Sequence, residues 1–241
     1  MNFELENVLQ KHQRDYHPVV PFTVSSNKIA ALNLSKHNKE ISPEIYKTTQ
    51  TLASYIDYKQ KQAGATYLIG GYKEQRDMYR RSPLFDTNLQ NSVVLAEEPR
   101  SIHLGIDIWG PAGTTVFAPL GGMVHSFANN ANHGDYGATI ILQHQLDTVN
   151  FYTLYGHLSL RDVMQVDIGK FLTRGQPFAH FGTPEENGDW PPHLHFQVIT
   201  DMLQFEGDFP GVCKPGEAGR YFGICPDPDY ILNLNKYIGK D

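Results

Sequence analysis

Five side chains able to hold a metal or move a proton fall within three short motifs. They are His103-Leu-Gly-Ile-Asp107, Tyr155-Gly-His157-Leu158 and Pro192-His193-Leu194-His195-Phe196. Four imidazoles and one carboxylate are the inventory of an open zinc site, with three ligands and spare groups for proton transfer. Such a set points to an enzyme sooner than to a binding module.

The spacing constrains the backbone. On a strand, His193 and His195 project from one face with Cβ atoms roughly 6–7 Å apart, while Leu194 points to the other. That places one imidazole on an ion and its neighbour above a water. A straight strand would separate His103 from Asp107 by about 13 Å, too far to share an ion. Gly105, with Gly110-Pro111 beyond, opposes a helix. The chain is therefore expected to bend at Gly105, with Ile106 and Ile108 buried and Asp107 facing the groove. Two neutral imidazoles and one carboxylate leave a zinc ion at net +1 with a free fourth position. The remaining imidazoles can orient a water, take its proton and stabilise an oxyanion. Tyr155 is a candidate groove residue that either adds a hydroxyl donor or packs in the sheet.

The elements that must position these groups read as mostly β, α+β overall. Short apolar-alternating runs broken by Gly, Pro and Asn predict strands at 92–95, 115–118, 122–127, 139–143, 150–155, 177–181 and 194–199. Their density predicts an antiparallel sheet or sandwich. Residues 1–90 read as a mixed α/β elaboration. In it Val19–Val24 is strand-like, and Ile29–Leu34 is a strand or a helical turn. A helix capped by Ser42 is predicted from Pro43 to about Ala63, stopping at Gly64. Arg76, Arg80 and Arg81 alternate with Glu74 and Asp77, as on a solvated helix face with local ion pairs, with substrate binding as the alternative. The predicted units are 1–90, a zinc-peptidase-like domain over 91–205, and a Gly/Pro-rich extension over 206–241.

With 241 residues, 40% hydrophobic and 12% aromatic, the chain has the composition of a globular protein. A net charge of −6 offers no basic stripe for nucleic acid and no polybasic helix for a membrane surface. The acidic start and the lack of a long apolar run predict a cytoplasmic location. Cys213 and Cys225 lack Cys-x-x-Cys spacing and read as free thiols, not zinc ligands. Oligomeric state is not legible.

Taken in order, the three motifs resemble those of the lysostaphin and LytM-like zinc endopeptidases that cut peptidoglycan peptides. Similar too are Gly113–Pro119, Gly122–Val124 and the turn from Gly169 to Gly175, so the resemblance spans about 100–200. It implies a duplicated-hybrid-motif sheet with a groove, and one Zn2+ per chain held by His103, Asp107 and His195. It further implies His157 and His193 as the catalytic pair, and hydrolysis of an amide beside glycine or D-alanine.

The family commonly has Ser or Thr and then Gly before Pro-His-Leu-His. Here Asn187-Gly-Asp189-Trp190-Pro191 stands instead. Asn187, Asp189 and Trp190 become candidate groove residues, Trp190 as an aromatic wall and Asp189 as a negative charge. A solvated loop and structural packing are the plainer alternatives. The Trp-Pro-Pro-His-Leu-His-Phe-Gln string is closer to peptidase-like modules fused to aminotransferase domains. The expected partner is a peptide, of cell-wall type or small and intracellular. Two rivals are a catalytically silent peptidase fold and a lipoyl- or biotinyl-like carrier. The carrier requires a lysine on a hairpin turn, and Lys170 alone lies within 91–200.

Overall fold

The structure is a computed structural model. It describes residues 3–239 except 86, 89–90 and 96–97, with the backbone alone at 87–88 and 91–95. Position 90, the expected end of the N-terminal elaboration, lies outside the described residues.

The fold is mostly β. Eight strands form one sheet: β1 (Ile29–Ala31), β2 (Tyr67–Gly70), β3 (Ile106–Trp109), β4 (Gly122–Asn130), β5 (Gly137–Leu146), β6 (Val149–Leu158), β7 (Phe171–Leu172) and β8 (His193–Ile199). Their spatial order is β1-β2-β3-β8-β6-β5-β4-β7. Among the described residues only the β1–β2 pair is parallel. The N-terminal segment thus supplies two strands to the same sheet that carries the His motifs. Small antiparallel pairs add Thr115–Phe117 with Pro177–His180, Ile102–His103 with Val212–Cys213, and Thr87–Asn88 with Asn91–Leu95. Each run predicted as a strand between 92 and 199 contributes to one of these.

The β8 sequence shows how the sheet divides its faces. Leu194, Phe196 and Val198 are fully buried in the main apolar core, beside Ile106 and Ile108 of β3. His193, His195 and Gln197 alternate with them, so they point to the other face. That second face is not solvated. It is enclosed by two further clusters, one around Trp109 and Trp190, the other around Leu154, Ile199 and Phe209. A layer packed on both sides explains why the polar triplet on β8 is buried.

Two N-terminal expectations need correction. Val19–Val24 forms no strand, because Pro18 and Pro21 bracket the valine pair and remove ladder donors. Val19 and Val20 still insert into the core, and Val19 accepts one backbone bond from Phe117 at 2.9 Å. The long helix is two helices, α1 (Pro43–Tyr46) and α2 (Thr49–Ala63). Thr48 adopts an extended conformation and exchanges cap bonds with Thr51, which restarts the helix there. Gly64 closes α2 in the left-handed conformation, as expected. The Gly/Pro-rich tail contains helices at Ala218–Ile224 and Asp229–Leu232. Among the described residues, no helix is long and apolar enough to cross a membrane.

Candidate functional site

Asp107 and His195 are directly opposite one another on β3 and β8, so the sheet register alone brings them together. His103 reaches the same point because the chain bends at Gly105, between the short strand Ile102–His103 and β3. Gly105 is required for a local reason. A Cβ there would lie 2.5 Å from the His195 ring.

His103 Nε2, Asp107 Oδ1 and His195 Nδ1 converge. The two nitrogens are 2.9 Å apart, and the carboxylate oxygen lies 3.2 Å from His195 and 3.3 Å from His103. Their outer partners fix the tautomers. His103 Nδ1–H donates to the Gly71 carbonyl at 3.0 Å. His195 Nε2–H donates to Gln197 Oε1 at 2.9 Å, and that amide is oriented by its own donation to the Pro210 carbonyl. Both inward nitrogens therefore present lone pairs. Burial first, and the Arg76 charge next, push the His103 pKa down to about 4, so its inward nitrogen is unprotonated near neutral pH. Two lone pairs and a carboxylate oxygen in contact repel one another unless a cation lies between them. Tetrahedral zinc with nitrogen and oxygen ligands at ~2.0–2.1 Å spaces its ligand atoms by about 3.3 Å, close to what is observed. The three residues fit such an ion.

His193 and His157 flank this trio. His193 Nδ1–H donates to the Pro191 carbonyl and His157 Nδ1–H to the Asn187 carbonyl, each at 2.8 Å. Each thus keeps a free lone pair at Nε2. His193 Nε2 lies 4.0 Å from Asp107 Oδ1, and the two imidazole centroids are 4.0 Å apart. Trp109 stacks on His193 at 3.9 Å from the other side. Burial lowers the pKa of both, to about 4 for His193, and the neighbouring His193 adds to the effect at His157. His157 reaches this face through a break in β6. Its φ is +63°, at a bulge between Tyr155 and Leu158 that reverses the side-chain alternation.

The four groove candidates separate. Tyr155 pairs with Phe196 in register and packs against it in the core, away from the imidazoles, so its hydroxyl bonds Thr153 at 3.0 Å. Asn187 is fully buried and structural, with its side chain bonded to Trp190 N and O. Trp190 is buried and lines the cavity over the imidazoles. Asp189 is half-exposed, bonded to Arg81 at 3.1 Å, and does not line that cavity.

Arg76 corrects the reading of a solvated arginine face. It is 2% exposed and donates from Nη1 to Asp107 Oδ2 and from Nε to Glu74 Oε2, both at 2.6 Å. Burial opposes the charge of Asp107, yet His103 and Arg76 together hold its carboxyl well below the usual range. Tyr136, outside the three motifs, also borders the site. Its hydroxyl lies 3.4 Å from His195 Nε2, and its ring occupies the space above Gly156. Nothing local marks either residue, whereas Gln197 continues the His193–His195 alternation and was legible in principle. Cys213 and Cys225 are buried free thiols, and Cys225 Sγ accepts a hydrogen bond from the Gln197 amide at 3.3 Å.

A buried His/Asp/His trio whose ligand atoms could hold a metal ion therefore lies on the sheet with two further imidazoles beside it. Residues 101–206 match peptidase family M23. Among solved structures, a zinc-containing peptidase from Vibrio cholerae is 26% identical over 47% of this chain and 30% of its own, with TM-score 0.32. The catalytic domain of lysostaphin from Staphylococcus simulans is 22% identical, covering 50% of this chain and 80% of its own, with TM-score 0.35. A peptidase M23 from Pseudomonas aeruginosa is 20% identical, covering 80% and 63%, with TM-score 0.35. No curated protein matches the chain.

Proposed function

We propose that the chain is a zinc-dependent hydrolase of peptide bonds, with one ion per chain held by His103 Nε2, Asp107 Oδ1 and His195 Nδ1. The observation that carries this reading is the contact of two lone-pair nitrogens at 2.9 Å beside a carboxylate. When bound, zinc supplies Lewis acidity, polarising a carbonyl and lowering the pKa of water to about 7.

The remaining work belongs to the chain. His157 and His193 are held neutral with Nε2 open, so each can accept a hydrogen bond from an attacking water and take up its proton. Once protonated, the same nitrogens donate to the tetrahedral oxyanion and to the leaving amine. The backbone carbonyls of Asn187 and Pro191 keep both rings in the required tautomer. Trp109 and Trp190 exclude bulk water beside them.

The direct test is a panel of glycyl, D-alanyl and γ-glutamyl peptides with purified protein. Hydrolysis is expected to vanish with chelator, return with zinc, and fall at least ~100-fold in His157→Ala and His193→Ala. Hydrolysis unaffected by chelator contradicts the reading.

A further inference from the structure

We propose that the site accepts the free end of a short peptide and excludes the interior of a long or cross-linked chain. This inference rests on the peptidase reading above and concerns which peptide the site admits. The imidazoles and Asp107 open into a cavity of about 100 Å3, room for only a small part of a peptide. Its walls come from either side of the matched segment. Met78, Leu84 and Phe85 precede it, while Phe209 and Val212 follow it, with Phe205 at its end.

The first wall is tied down on the far side of the site. Ser82 Oγ donates to the His133 carbonyl at 2.6 Å. Arg81 bonds Asp189 at 3.1 Å, and its guanidinium lies 4.8 Å from the Trp190 ring. Residues 78–85 therefore reach both loops bordering the site, 131–136 and 187–190. The second wall is fixed by backbone bonds, Leu104 N to Gly211 O at 2.8 Å and Ser101 N to Cys213 O at 2.9 Å. An extended peptide needs about 3.3 Å of open groove per residue on both sides of the scissile bond. With walls anchored in this way, a chain can enter but cannot continue through. The cavity also holds charged groups suited to a terminus, which a chain interior lacks. Arg100, Asp135 and Asp208 line it, and Arg100 Nε is buried with no partner among the described residues.

The test uses the zinc-loaded full chain and calorimetric binding beside turnover. Ligands are a tetrapeptide with free ends, its N-acetyl, C-amide and doubly blocked forms, and purified cross-linked peptidoglycan. Blocking at least one end is expected to weaken binding and kcat/KM by 10-fold or more, with the polymer untouched. The Arg81→Ala/Ser82→Ala double variant, which frees the first wall, is expected to narrow that gap. Equal binding and cleavage of the doubly blocked peptide or the polymer overturns the inference while leaving the peptidase reading intact. An unchanged gap in the double variant overturns closure by residues 78–85. Failure to bind zinc overturns both the peptidase reading and this one.

Discussion

Arg76 sets the carboxylate oxygen that the trio uses. By occupying Oδ2 of Asp107, it leaves Oδ1 as the single inward acceptor. Partners behind a metal ligand are typically worth ~10–100-fold in metal affinity. Lysine keeps the charge but cannot span Glu74 and Asp107 with a planar fork. Arg76→Lys is therefore expected to weaken zinc binding by ~10–100-fold with an unchanged circular dichroism spectrum, read by chelator competition. At this scale the five motif residues were legible because each motif places its members by strand period or by one bend. Arg76 was not, since its partner lies 31 positions away and a charge-alternating run looks the same whether solvated or folded inward.

Two local departures from regular strand geometry assemble the site. The bend at Gly105 was readable from the distance that a straight strand imposes on His103 and Asp107. The bulge that turns His157 inward was not, because period-2 alternation places His157 on the face of Tyr155. Gly156 is the trace it leaves in the sequence, since a Cβ there would stand 2.5 Å from the Tyr136 ring. Gly105→Ala drives a methyl group into the His195 imidazole and must displace it. The expected outcome is loss of stoichiometric zinc in a protein that still unfolds cooperatively. Retention of tight zinc binding shows that the strands can separate without moving the ligand. The break between α1 and α2 was missed for a related reason. Apolar spacing carries through Lys47–Thr48, while the capping exchange of Thr48 with Thr51 does not alter it.

The whole molecule buries imidazoles in a neutral state, and this shapes its acid stability. His103, His144 and His193 have pKa values lowered by burial from 6.5 to about 4. Between those values the unfolded chain binds protons that the folded chain refuses, so stability falls as pH drops from about 6.5 toward 4. His144 isolates the effect, because it lies outside the trio, bonded to Gly121 O at 2.9 Å and Thr153 Oγ1 at 2.7 Å. A shift of this size corresponds to on the order of 3 kcal/mol for one group. In metal-free protein, urea midpoints should fall steeply over that window, and His144→Asn should flatten the slope by about one proton. The sheet architecture was legible at this scale from the density of short strands. The joining of β1 and β2 to that sheet was not, since pairing between distant strands has no local signature.

His103 Nε2, Asp107 Oδ1 and His195 Nδ1 meet as three acceptors that a bound cation would reconcile. Zinc titration of chelator-stripped protein, read by calorimetry, is the sharpest test of that ion. One tight site per chain is expected, lost in both His103→Ala and His195→Ala and retained in His157→Ala. Absence of that site, or its survival in the His103 and His195 variants, rules out the trio as the ligand set.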